Sequence, residues 1–174
     1  MSRQIYNLPA RFFHWVTFIL LIPTVVLGFV GSDMVFSPLK IEIFALHKSF
    51  GVSVWFVTVL RILWRFGSTT PHPVRMGPVL LWMSKITHLS LYMLLIAVPV
   101  LGWLTSSAWQ VPVSWFGFFE LPIWIEPSRS MAELLGEIHE ILAISLLSII
   151  GLHVFAAFFH QLILRDHLIR RMWK

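Results

Sequence analysis

The 174-residue chain contains no cysteine. Disulfides, thiolate metal sites, iron–sulfur clusters and covalent haem attachment through C-x-x-C-H are thereby excluded, and any bound redox centre has to be held by histidine. Charge is scarce as well. Lys, Arg, Asp and Glu make up 12% of the chain, against about 25% in an average soluble domain. The net charge of +5 is not gathered into a basic helix. With no aromatic RNA-binding motif beside it, no nucleic-acid partner is indicated. No low-complexity tract, internal repeat or soluble appendage is evident from the sequence.

What the chain has in abundance is apolar surface: 57% hydrophobic residues and a mean hydropathy of +0.81. Four segments reach the ~20 apolar residues that cross ~30 Å of hydrocarbon. They run over about residues 12–31, 43–66, 79–106 and 131–164. The expected fold is all-α, an integral membrane four-helix bundle, and residues 1–174 read as a single four-span transmembrane domain. The first span follows Arg3 and Arg11 as a secretory signal would, but its apolar run is too long and no small-x-small site ends it.

Lysine and arginine in short loops mark the cytoplasmic side. Arg3, Arg11, Arg65, Arg75, Lys85, Arg165, Arg170, Arg171 and Lys174 fall on one side of the four spans. The opposite side holds Asp33, Lys40, Glu42, Glu120, Glu126, Arg129 and Glu133, so both termini are expected to be cytoplasmic. Pro38, and Pro71, Pro73 and Pro78, mark the first two connections as helix breaks. The third, residues 107–130, carries Trp109, Trp115, Phe116, Phe118, Phe119 and Trp124 among prolines. Two placements fit it, in the headgroup interface or as a lid over a site. Gly51, Gly102, Gly136 and Gly151 are small positions where helices or a flat cofactor can approach.

Ionisable side chains inside such spans point to a functional site. His139, His153 and His160 lie 14 and 7 residues apart in the last span. At ~100° and ~1.5 Å per residue they form one stripe, with His139 and His153 about 21 Å apart. His47 and His139 open their spans on the outer side, whereas His14 and His88 open theirs on the inner side. His47 and His139 therefore share an outer level, while His14, His88, His153 and His160 compete for an inner one. From His14 to the turn near Gly31 the helix rises about 25 Å, and His47 sits about 9 Å back from the same turn. The difference of about 16 Å is nearer the ~21 Å between His139 and His153 than the ~31 Å between His139 and His160. His14 is expected to pair with His153, and His160 is the second choice.

Zinc usually takes three or four protein ligands, which this spacing does not supply. Two opposed imidazoles instead suit the axial positions of a haem iron held between facing helices. With both axial positions filled, oxygen binding is not expected. Arg61 lies 14 residues after His47 on the same face. It is placed either to meet a haem propionate or to snorkel to the cytoplasmic headgroups.

Several short runs, taken together, resemble one family. Arg11-Phe12-Phe13-His14-Trp15, Leu46-His47-Lys48-Ser49-Phe50-Gly51, Leu60-Arg61-Ile62-Leu63-Trp64-Arg65, Thr87-His88-Leu89-Ser90-Leu91-Tyr92 and Gly151-Leu152-His153 with His160 are similar in identity, order and spacing to the bacterial cytochrome b561 family. The resemblance implies a diheme b-type cytochrome of the inner membrane that exchanges electrons with the quinone pool. It implies His14 and His153 as axial ligands of the inner haem b and His47 and His139 of the outer one. It further implies a route from superoxide outside to ubiquinone, with Lys48 a candidate anion or propionate contact, although the acidic outer loops speak against superoxide. His160, His88, Arg11 and Lys85 become candidates for a quinone site. His72 and His167 read as solvated.

Three functions follow from these readings. The first is a transmembrane electron carrier with two bis-histidine haems, fed by a small-molecule or protein donor. The second is a cytochrome b anchor subunit of a dehydrogenase or hydrogenase. The third, of a different class, is a histidine-lined proton or metal transporter, which would show no haem absorbance.

Overall fold

The computed structural model describes residues 5–69, 71 and 77–173. Arg3, His72, Pro73, Arg75 and Lys174, named above, lie outside them. Four long helices cross in alternating directions: α1 (Leu8–Asp33), α2 (Pro38–Gly67), α3 (Pro78–Ala108) and α4 (Arg129–Phe159). A π-helical turn (His160–Leu164) and a short α5 (Arg170–Trp173) follow.

Local chemistry sets the helix starts. Asn7, Ser37 and Ser128 each accept a bond from a first-turn amide, of Ala10, Lys40 and Met131. Pro9, Pro38 and Pro78 occupy the first turns of α1, α2 and α3, where a missing N–H costs nothing. Pro38 and Pro78, which mark helix breaks in the sequence, thus begin helices. Four helices are long and apolar enough to span a membrane, and side chains such as Ile19, Ile22, Leu60, Ile141 and Phe155 face outward, as lipid solvent allows.

The core is an apolar layer formed by Val54, Leu95, Val98 and Leu146, with Leu21 packed against it. Its members mark a regularity that the sequence reading missed. Each helix carries three positions seven residues apart on one face: His14, Leu21, Gly28 on α1; His47, Val54, Arg61 on α2; His88, Leu95, Gly102 on α3; His139, Leu146, His153 on α4. The bundle is two αα-hairpins built to one plan. A level of His14, Arg61, His88 and His153 and a level of His47 and His139 with two glycines lie on either side of the apolar layer.

The segments around Tyr6 and Met172 meet near the first of these levels. Tyr6 N donates to Arg171 O at 3.1 Å, and the Trp15 indole N–H donates to Met172 O at 3.0 Å.

The third connection folds over the opposite end. Strands β1 (Val113–Trp115) and β2 (Phe119–Leu121) pair antiparallel. At the turn, Phe116 and Gly117 both have positive φ, 48° and 79°, as a tight hairpin with native twist requires. Buried Ser49 on α2 donates to Ser114 O at 2.9 Å and accepts from Phe116 N at 3.1 Å, while Trp115 Nε1 donates to Ser53 Oγ at 2.9 Å. Ser107 Oγ accepts from Trp124 N and Ile125 N at 2.7 and 3.0 Å. The segment is docked on α2, and Val113 reaches the cavity beneath, so it covers that cavity as a lid would.

Candidate redox-cofactor site

His47 and His139 face each other at the hairpin end, with ring centres 6.3 Å apart. His14 and His153 do the same at the other level, also at 6.3 Å. The depth estimate expected these two pairings; His88 also lies at the second level, its ring centre 5.3 Å from that of His153. An ion bridging two opposed imidazole nitrogens at about 2 Å each, with about 1.2 Å from nitrogen to ring centre, separates the ring centres by about 6.4 Å. Both pairs have that spacing. Among the described residues no cluster of three His, Cys, Asp or Glu is placed to hold a metal ion, so a metal here needs most of its ligands from elsewhere. A porphyrin supplies four.

The His47–His139 pair borders a cavity of about 530 Å³, within the range of cofactor pockets. Gly28, Gly51, Gly102 and Gly136 all line it, as do Lys48 beside His47 and Glu140 beside His139. An added Cβ at Gly28 would lie 3.0 Å from His47 Cε1, and one at Gly102 3.0 Å from His139 Cε1. Each ring packs close to its glycine, so a larger residue there would require the ring to shift.

Backbone carbonyls hold both rings. His47 Nδ1 bonds Thr24 O at 2.7 Å, and His139 Nδ1 bonds Val98 O at 2.9 Å. A carbonyl only accepts, so the proton sits on Nδ1 and the Nε2 lone pair is free for an ion. Thr24, Gly28 and Val98 were not singled out from sequence. The repeated 14-residue interval from His14 to Gly28 and from His88 to Gly102 was the available signal.

Other predicted residues distribute unevenly. Arg61 reaches the inner pair, its Nη2 3.1 Å from His14 Nδ1 and its guanidinium 5.2 Å from the Tyr92 ring centre. His88 packs edge-on against His153 at 5.3 Å and bonds Ser84 O through Nδ1 at 2.6 Å. His160 is buried, and its Nδ1 meets Asp166 Oδ2 at 2.5 Å, a partner that sequence reasoning did not identify. Arg11 donates to Trp173 O at 3.1 Å. Lys85 lies 5.0 Å over the Trp82 ring. Among the described residues no hydrogen bond or ion pair joins His160 to His88, Arg11 or Lys85. His167 is exposed.

Known proteins agree with the resemblance. A family model described as prokaryotic cytochrome b561 matches residues 5–174. Cytochrome b561 homolog 2 of Escherichia coli (strain K12) is 35% identical over 128 residues, 73% of this chain and 68% of the relative. The probable superoxide oxidase CybB of Yersinia pestis is 29% identical over 132 residues, 73% of this chain and 72% of its own length. Cytochrome b561 homolog 1 of E. coli K12 is 29% identical over 129 residues, covering 72% of each chain. The family implies haem b, which the paired histidines and glycine-lined cavity fit. With its four apolar helices, the chain belongs to the prokaryotic cytochrome b561 family, electron-transfer proteins that cross the bacterial inner membrane several times.

Proposed function

We propose that residues 1–174 form one four-span unit that carries electrons across the membrane between two haem b groups, one between His47 and His139 and one between His14 and His153. The observation that carries this reading is the equal 6.3 Å spacing of the two histidine pairs. Both termini face the cytoplasm, by the distribution of arginine and lysine, so the hairpin lid faces outward.

When bound, haem supplies a one-electron carrier. The chain does the rest. Thr24 and Val98 carbonyls fix the outer rings, Arg61 places a positive charge beside His14 where a propionate can be met, and Leu21, Val54, Leu95 and Leu146 keep water from the layer between the levels.

Ubiquinone reacts at the inner end, where Asp166 holds the Nδ1 proton of His160 and leaves Nε2 to exchange a proton with a quinone oxygen. His88, one ring away from His153, is a second candidate contact there. Superoxide is the donor suggested by the name of the Yersinia relative. Lys48 lines the outer cavity as an anion contact, opposed by Glu140 on the other wall.

A reduced-minus-oxidised optical spectrum of the purified protein, with haem quantified per chain, tests the reading. Two haems per chain and a reducible Soret and α-band are expected. Absence of both bands overturns it in favour of a histidine-lined transporter. Quinone reduction driven by superoxide in proteoliposomes tests the donor: no rate above the protein-free control removes superoxide, and co-purification of a dehydrogenase chain would indicate an anchor subunit.

A further inference from the structure

We propose that the outer pair holds its haem more tightly than the inner pair, because Thr24 with Gly28 and Val98 with Gly102 lock the outer rings while, among the described residues, nothing equivalent locks the inner ones. The inference rests on the two-haem reading above and adds an order of affinity and four positioning residues.

The lock is the same on both sides of the outer level. A carbonyl on the first helix of each hairpin takes the ring's Nδ1 proton, at 2.7 Å from Thr24 and 2.9 Å from Val98. Four residues further on, one helical turn, a glycine leaves the ring its space, since a Cβ there would stand 3.0 Å from Cε1. Ring position, rotation and tautomer are all set, with Nε2 free. Such outer-shell partners contribute about 10–100-fold in metal affinity.

At the inner level the same helix positions carry other residues. Arg61 stands on α2 where α4 has His153, and its Nη2 lies 3.1 Å from His14 Nδ1. A guanidinium only donates. His14 Nδ1 must therefore accept, and the ring proton sits on Nε2, the nitrogen an iron would take. That proton has to leave before His14 can ligate. His153 has no hydrogen-bond acceptor among the described residues; its neighbours are the rings of His14 and His88, 6.3 and 5.3 Å away. One inner ring thus carries its proton on Nε2, and the other has ring contacts but, among the described residues, no hydrogen bond to fix its rotation.

The test is haem transfer from the detergent-solubilised holoprotein to excess apomyoglobin, followed in the Soret band. Two phases of equal amplitude are expected, their rates differing by about 10–100-fold. His153→Ala should abolish the fast phase and leave the slow one. Gly28→Ala and Gly102→Ala, made separately so that one misfolded variant does not decide the matter, should each accelerate the slow phase alone. Gly67→Ala, whose Cβ would meet nothing within 4 Å, should change neither. A single phase, or a slow phase that disappears in His153→Ala, overturns the proposal while leaving two haems in place. Fewer than two haems per wild-type chain overturns the underlying reading and the inference with it.

Discussion

Asp166 holds His160 at 2.5 Å and uses its other carboxylate oxygen to accept from Leu168 N at 3.1 Å. One carboxylate thus orients a buried imidazole and caps the turn that follows the π-helical segment. Replacing it by asparagine removes the charge that keeps the proton on His160 Nδ1. Asp166→Asn should lower quinone reduction by roughly 10–100-fold, short of the largest losses on deleting an acid–base group. Haem content should remain at the wild-type level. A rate unchanged with haem intact would remove the dyad from quinone chemistry.

Single alanine replacements separate the histidines by role. His47→Ala or His139→Ala should each cost one haem, and His14→Ala or His153→Ala should each cost the other, read as haem per chain from pyridine haemochrome spectra. His160→Ala should cost none. Loss of a haem in His160→Ala with retention in His153→Ala would reverse the inner pairing.

Ser49 is 3% exposed and joins α2 to the lid through Ser114 O and Phe116 N. Ser49→Ala removes both bonds and leaves the half-buried Ser114 carbonyl and the Phe116 N–H without this partner, at a cost of about 1 kcal/mol. The midpoint of thermal unfolding should fall, and the Phe116 amide should exchange its hydrogen faster than amides of the helix interiors. An unchanged exchange rate at Phe116 would mean that the hairpin is held by its aromatic contacts instead.

The absence of cysteine makes orientation directly measurable. Phe118, 80% exposed at the hairpin, and Trp173, 66% exposed near the C-terminus, lie at opposite ends of the bundle. In intact spheroplasts a membrane-impermeant maleimide should label Phe118→Cys and not Trp173→Cys. The reverse pattern would invert the topology.

The sequence by itself determined the class of protein, the four spans and the depth of each histidine. Those properties are local: hydropathy counts residues against a bilayer thickness, and a helix converts residue number into height at a fixed rise. Height alone put His47 with His139, left His14, His88, His153 and His160 at the other level, and made His153 a nearer match to His14 than His160. What it could not reach was rotation between helices, which depends on how neighbouring faces pack. Only the tertiary structure put Thr24 and Val98 carbonyls against the outer rings, seated those rings on Gly28 and Gly102, and turned Arg61 onto His14. It likewise set His88 beside His153 and brought Asp166 back onto His160, contacts made by a neighbouring helix and by a turn of left-handed backbone at Arg165. The seven-residue columns were present in the chain throughout. They became visible as two matching hairpins only when the layer of Leu21, Val54, Leu95 and Leu146 was seen to lie between the two histidine levels, because few identical residues mark the repeat and packing, not identity, preserves it.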